Sequence, residues 1–379
     1  MQHSPTAIFQ LIEQQNQCPD CLYIELAELP GPPSAPGTAQ IDLHLTIKFG
    51  EQWQTLPGGS RVKFGLTGGT LQLHLDNGKL LASGALAGAF ESDMGRVTKS
   101  GSSYDPSWIF TTTIGATILR GTIETVQLGR LQVISRPCLL EAAFAISAPD
   151  LYLTDAEGLW PHDISPNKHA VLERKLVHVL IETKLAPYLS WVQWCYECPN
   201  PTPSIHLPDN ENTDRSLQDF HALIARLSHA ETDHFLKLAK LASLNPNYDF
   251  AGGNLLGTNL SGLDLTGINL SRTNLRGADF SDADLSEANL THAKLSGADL
   301  SGAYLSETDL SQTDLHKASL ALANLSGADL RDANLKDANL SRTNLSGAKV
   351  ENARFGNNPG LPDEMKPSLK RRGAIFEDL

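Results

Sequence analysis

The sequence predicts a mainly β protein in two parts, an antiparallel β-rich module followed by a solenoid. From residue 250 to 355 every fifth residue is large and apolar, without interruption. Before residue 199, short runs alternate apolar and polar residues, which is typical of half-buried strands. A polar, proline-rich stretch over 199–213 lies between the two parts and is predicted to be a linker.

Composition narrows the class of protein. The chain has 379 residues, with 30 Lys and Arg against 43 Asp and Glu, a formal net charge of −13. This charge makes nucleic-acid phosphates an unlikely ligand. The sequence contains no apolar run of about 18 residues and no basic, apolar leader, so we expect no spanning helix and a cytoplasmic location. Five cysteines are too few for a disulfide framework of this size and fit a reducing compartment.

The first 198 residues are predicted to form an antiparallel β-sandwich or barrel. Residues 41–49 and 71–75 alternate apolar and polar side chains, and Asn77-Gly78 favours a type I′ hairpin turn. Short strands at such spacing are typical of sandwiches and barrels. Further strands are predicted at 22–29, 108–119, 121–128, 130–136 and 138–147. A helix over 169–194 is predicted to close this module.

The five-residue period fits neither regular element. On an α-helix, five residues turn about 500°, so successive apolar residues would spiral around the axis. In a flat strand, an odd spacing would place them on opposite faces. The chain must therefore turn a corner once per repeat to keep every apolar residue inside.

The repeat also has a consistent sequence pattern. A small residue, usually Ala, stands two positions before each apolar residue, Asp or Asn stands between them, and Ser or Thr follows. This A-(D/N)-L-x-x pattern resembles the pentapeptide-repeat family over residues 250–355. The resemblance implies a right-handed quadrilateral β-helix with one pentapeptide per side. The 22 repeats would then form a rod about 26 Å long.

Both ends of the rod carry candidate caps, which an open solenoid needs because its end strands are unpaired. Residues 214–249 are predicted to form two helices, with Asp214 and Thr232 as N-caps. Residues 356–379 are predicted to form a C-terminal cap with a short helix ending at Gly373. The ending of the chain also resembles the tails of cyanobacterial pentapeptide-repeat proteins.

Two CxxC motifs bracket the β-rich module. Cys18 and Cys21 lie near its start, after a predicted helix, and Cys195 and Cys198 lie at its end. Four thiolates form the tetrahedral set that structural zinc prefers, so the motifs predict a zinc ion that closes the module. Inert buried thiols and a redox-active dithiol are the alternatives.

Charges are unevenly distributed around the predicted coil. Side chains 20 residues apart stack on one side, so the sequence assigns each charge to a side. The sides centred on residues 260 and 265 carry seven acidic residues against Arg342, and we call them the acidic side. Within it, the outward residues Tyr304 and Leu322 depart from the small or polar residues of their columns. They predict a protein-binding surface, together with Asp284, Glu287, Asp299 and Glu307.

These features predict a non-enzymatic adaptor or scaffold that binds other proteins through the β-rich module and the rod. Solubility and turn hydrogen bonds are a simpler explanation for the acidic residues. For Leu322, the simpler explanation is that it shields the end of a coil. We find no catalytic constellation in the sequence. One alternative is an enzyme or small-ligand sensor with its site near His162 and His169. Another is a DNA-mimicking topoisomerase regulator, which the resemblance to the pentapeptide-repeat family implies because the acidic wall of its gyrase-binding members mimics DNA.

Overall fold

The computed structural model describes residues 9–30, 40–83, 86, 95–113, 116–198 and 211–377. The chain divides into two compact units. Unit 1 comprises residues 1–156 and 180–215, and unit 2 comprises residues 157–179 and 216–379. Most of the predicted linker, 199–210, lies outside the described residues. None of the described helices is long and apolar enough to cross a membrane.

Unit 1 contains three β-sheets. Its strands are β1 (Gln10–Asn16), β2 (Leu22–Pro30), β3 (Gln40–Phe49), β4 (Glu51–Thr55), β5 (Arg61–Leu66), β6 (Gly68–Asp76), β7 (Gly78–Ser83), β8 (Arg96–Gly101), β9 (Pro106–Thr111), β10 (Gly121–Val133), β11 (Cys138–Ala145), β12 (Leu151–Glu157) and β13 (Ser190–Tyr196). The strand orders are β1-β13-β11-β6-β9-β8, β2-β3-β10-β7 and β12-β5-β4. The six- and four-stranded sheets are antiparallel throughout. The choice between a sandwich and a barrel stays a prediction.

The alternating pattern of β3 is confirmed by its burial. Ile41, Leu43, Leu45, Ile47 and Phe49 are buried, whereas the residues between them remain partly accessible. Apolar residues on one face of a strand are removed from water together, which stabilises the sheet by burial of apolar surface.

The predicted hairpin at Asn77-Gly78 is wrong. β6 pairs with β11 and β9, whereas β7 pairs with β10 in another sheet. Asn77 has a φ of 60°, so the chain does turn sharply there. Its carbonyl accepts a hydrogen bond from the Ile134 amide at 2.8 Å, where the chain between β10 and β11 makes the same crossing. Asn77-Gly78 therefore predicted a sharp turn correctly, but the strands before and after the turn do not pair with each other.

Unit 2 contains the repeats, which form a regular coil. Backbone bridges join residues 20 apart, from Asn254 and Asn274 to Asn334 and Arg354. Each side is five residues long, so four sides complete a coil. The residue two positions after each buried apolar residue has a positive φ along the rod, which closes a tight turn at every corner. The spacing therefore buries every apolar residue from Phe250 to Phe355, as the five-residue period predicts.

The helix predicted to close the β-rich module belongs mostly to the other unit. Helix α1 (Pro166–Leu180) lies in unit 2 through residue 179, and the Asn167 side chain donates to the carbonyl of Asn259 at 3.0 Å. The prediction that it closes the module is therefore wrong. The predicted continuation to residue 194 is also wrong, because a π-helical turn at Ile181–Leu185 ends the helix before Pro187, and residues 190–196 form β13.

Short elements flank the coil at its two ends. Helices α2 (Glu211–Ser228) and α3 (Phe235–Leu241) precede it, and α4 (Lys366–Arg371) follows it. The predicted N-caps are wrong, because α2 begins before Asp214, and α3 begins after His234, whose amide donates to the Thr232 hydroxyl. Strands β14 (Arg354–Phe355) and β15 (Ile375–Phe376) pair in parallel, so the chain end covers the last coil.

Candidate functional site

The corner between the two acidic sides places Tyr304 and Leu322 close together. Tyr304 bridges Asp284 below it and Asn324 above it in one backbone column. Leu322 precedes Asn324 by two residues, across the buried Ala323 that forms the corner. Tyr304 therefore lies one coil below Leu322, on the neighbouring side of the coil. Both residues are exposed, Tyr304 by 55% and Leu322 by 62%.

The backbone of Leu322 makes its identity costly. Its φ is +62°, in the left-handed region. The other residues at this position along the rod are Gly or polar residues, such as Asp282 and Arg342 in the same column. A residue other than Gly in this region costs about 1–2 kcal/mol, a cost that Leu322 shares with residues such as Glu307 and Lys317. Because Leu322 is also exposed, it recovers none of this cost through burial within the chain.

The aspartates of the acidic side are held by their own turns. Asp279, Asp284 and Asp299 each accept a hydrogen bond from the amide two residues further on, at 2.9, 3.0 and 2.9 Å. At Asp264 the hydroxyl and amide of Thr266 make the same contacts and lower the pKa of the carboxyl. Turn formation therefore explains why Asp or Asn occupies this repeat position, as in other Asx turns.

The acidic side nevertheless keeps its charge unpaired. Among the described residues, its seven carboxylates form no ion pair; they are Asp264, Asp279, Asp282, Asp284, Glu287, Asp299 and Glu307. On the opposite side, Asp329 binds Arg331 at 2.6 Å and lies 3.6 Å from Lys349. Arg331 donates the hydrogen bonds that lower the pKa of Asp329. Glu287 and Glu307 occupy corner positions that need no carboxylate, so turn formation does not explain them.

The structure does not bring the four predicted zinc ligands together. β1 and β13 run antiparallel, with Gln10 opposite Cys195 and the Gln17 amide bonded to the carbonyl of Leu189. Gln17 therefore lies level with a residue six positions before Cys195, a distance of about 20 Å, and Cys18 follows Gln17. Cys195 and Cys198 instead form a disulfide. No cluster of three or more metal-ligating side chains occurs in the described parts of the chain.

The other cysteine pair lies in a buried turn. Cys18 and Cys21 are buried and close one turn, in which the Cys21 amide donates to the Cys18 carbonyl at 2.9 Å. Burial raises the pKa of Cys18 to about 11 and also raises the pKa of Cys21. The register of β1 and β13 separates the two cysteine pairs, so the structure does not bring the four thiols to one ion, and a structural zinc ion stays a prediction. Cys18 also follows strand β1 and not the predicted helix.

The polar cluster around His162 and His169 connects elements of unit 2. The Asn167 amide donates to the carbonyl of Asp233 at 2.7 Å and, as above, to the first coil. The rings of His169 and Trp160 pack edge to face with centroids 5.0 Å apart, and burial lowers the pKa of His169. His162 is exposed. These contacts give the cluster a structural role in holding α1 to the rod.

Sequence reasoning missed a buried carboxyl in the same place. Glu173 on α1 is only 5% exposed, and Asn254 of the first coil donates to it at 3.3 Å. Burial raises the pKa of Glu173 to about 8, against the lowering effects of Asn254 and Arg174. The sequence pattern does not reveal the burial of Glu173, because a charged residue on a helix usually faces solvent.

Comparisons with known proteins identify the class of the rod. Eight copies of the pentapeptide-repeat model match residues 253–291, 283–321 and 318–357, which confirms the predicted resemblance there. Residues 253–357 are thus pentapeptide repeats, and the N-terminal module matches no family model. A comparison with curated proteins found no match.

Several solved structures align with part of the chain. A pentapeptide-repeat protein of the Arabidopsis thaliana thylakoid lumen is 35% identical over 30% of this chain and 80% of its own, with a TM-score of 0.29. A pentapeptide-repeat protein of Nostoc PCC 7120 is 38% identical over 29% and 84%, with a TM-score of 0.25. The plasmid-mediated fluoroquinolone resistance protein QnrB1 is 21% identical over 35% and 86%, with a TM-score of 0.21.

Proposed function

We propose that this protein is a non-enzymatic binding protein whose rod docks a protein partner on its acidic side. The observation that carries the proposal is Leu322, an exposed leucine at a repeat position that Gly or polar residues otherwise occupy. An exposed apolar side chain at such a position is explained by a contact outside the chain. Tyr304, around the corner from Leu322, supplies the aromatic ring that interface centres favour.

Charge defines the partner. The carboxylates around the apolar pair lack ion pairs among the described residues, and they include Asp284, Glu287, Asp299 and Glu307. A complementary surface carries Lys or Arg around a large apolar side chain. Exposed charges of this kind mainly accelerate and steer association, so binding should weaken as salt increases. A rigid coil presents these groups without an ordering cost.

Affinity capture from the native host tests this function. Tagged protein should retain a partner with a basic contact surface, and the double variant Tyr304→Ala with Leu322→Ser should lose it. Lys317→Ser is the matched control, because Lys317 occupies the same repeat position as Leu322 on the opposite side and is also exposed. A folded double variant that keeps every partner would contradict the proposal. Inhibition of gyrase supercoiling by the wild type but not by the double variant would identify the partner as a topoisomerase.

A further inference from the structure

Unit 1 contains a groove that the proposed function does not use. Its volume is about 350 Å³, and it lies on one face of the six-stranded sheet. The side chains that line it include Gln72, His74, Asp105, Ser107, Glu141, Ala143, Tyr188 and Trp191. A groove of this size can hold one small organic molecule.

The strand register explains why the sheet has a depression here. Trp191, Ala143, Gln72 and Ser107 lie opposite one another in a row across β13, β11, β6 and β9. They share a face, because side chains alternate along each strand. Ala143 is the small residue in the middle of this row. The large neighbours therefore form walls around a floor at Ala143.

The next row supplies the charge. Gln193, Glu141 and His74 lie opposite one another, two residues along from the first row. The Gln193 amide donates to Oε1 of Glu141 at 2.8 Å, and Nδ1 of His74 lies 2.5 Å from Oδ1 of Asp105. The groove therefore has one carboxylate in contact with an imidazole and a second carboxylate opposite that histidine in the strand register. The groove is negatively charged whether His74 is neutral or protonated.

We infer that this groove binds a small organic cation, with an ammonium or amidinium group held by Glu141 and Asp105. Such a group can donate charge-assisted hydrogen bonds to the carboxylates. The aromatic walls formed by Trp191 and Tyr188 suit the apolar body of the ligand and attract cations through their ring faces. An anion would meet two carboxylates, and a neutral ligand would bring no positive charge to either of them.

Calorimetric titration of the full chain with three isosteric probes tests the inference. Benzamidine is cationic, benzamide is neutral and benzoate is anionic. Benzamidine should bind at least about tenfold more tightly than benzamide, and benzoate should not bind. Ala143→Leu should abolish binding by filling the floor, and Glu141→Gln should weaken benzamidine about tenfold. Glu124→Gln, at an exposed position of β10, is the control and should leave affinity unchanged.

Two results would overturn the inference. One is equal affinity for benzamidine and benzamide, or no saturable binding of benzamidine up to about 10 mM. The other is unchanged benzamidine binding in folded Ala143→Leu. If Glu141→Gln does not fold, the exposed Asp105→Asn replaces it, and a retained affinity in that variant counts equally against the inference.

Discussion

The buried carboxyl of Glu173 makes the stability of unit 2 depend on pH. Its pKa is about 8 in the folded protein and about 4.5 when exposed. Between these values the unfolded chain releases the proton and the folded chain keeps it. The free energy of unfolding should therefore fall by about 1.4 kcal/mol per pH unit from this group, approaching 5 kcal/mol in all by pH 8. Below pH 4.5 both states are protonated, and the contribution no longer changes.

Glu173→Gln tests this directly, because glutamine keeps the size and a hydrogen-bonding oxygen for Asn254 but cannot ionise. Urea unfolding followed by circular dichroism should give similar stabilities near pH 5, and at pH 8 the variant should be more stable by a few kcal/mol. Glu231→Gln, at an exposed position in the same unit, should change neither value. A Glu173→Gln variant whose stability relative to wild type is the same at pH 5 and pH 8 would refute the reasoning.

Two further predictions concern the corner and the cysteines. Leu322→Gly should raise the free energy of unfolding by about 1 kcal/mol by relieving the positive φ, whereas Leu320→Ala should lower it by about 3 kcal/mol through a cavity. Chemical denaturation of both variants measures these opposite changes in the free energy of unfolding. A Leu322→Gly variant that is less stable than the wild type would contradict the predicted stabilisation. In reducing buffer, the effects of Cys21→Ser and Cys195→Ser should add within about 0.5 kcal/mol, because the sites are far apart. Strong non-additivity in the double variant would instead indicate one shared metal ion.

The rod could be predicted from sequence because its period admits one geometry. Only a corner every five residues keeps all the apolar residues from Phe250 to Phe355 inside. The outward position of Tyr304 and Leu322 follows from the same register, and the structure exposes both. What the sequence could not show is the φ of +62° at Leu322 as a specific cost, which required the backbone.

Unit 1 was harder to predict because its information is non-local. β13 is buried on both faces, so its apolar run continues the pattern of α1 and favours a helix, although Pro187 is a signal against one. The apolar face of an amphipathic helix indicates that the helix packs against something, but not which part of the chain it packs against. The two CxxC motifs are 173 residues apart in sequence, and spacing along the chain does not determine a distance across a sheet.

A photo-crosslinker at position 304 tests the central claim most directly. Benzoylphenylalanine in place of Tyr304 should form adducts with a protein partner, at a peptide with a surplus of Lys and Arg. The same substitution at Asn334 is the control and should form no adducts with the partner. Asn334 holds the same repeat position on the opposite side of the coil. The yield of the adduct formed from position 304 should decrease as the salt concentration is raised. It should also decrease when Glu287 and Glu307 are replaced by uncharged residues. Equal cross-linking from both positions, or none from position 304 in a preparation that still captures its partner, would contradict the central claim.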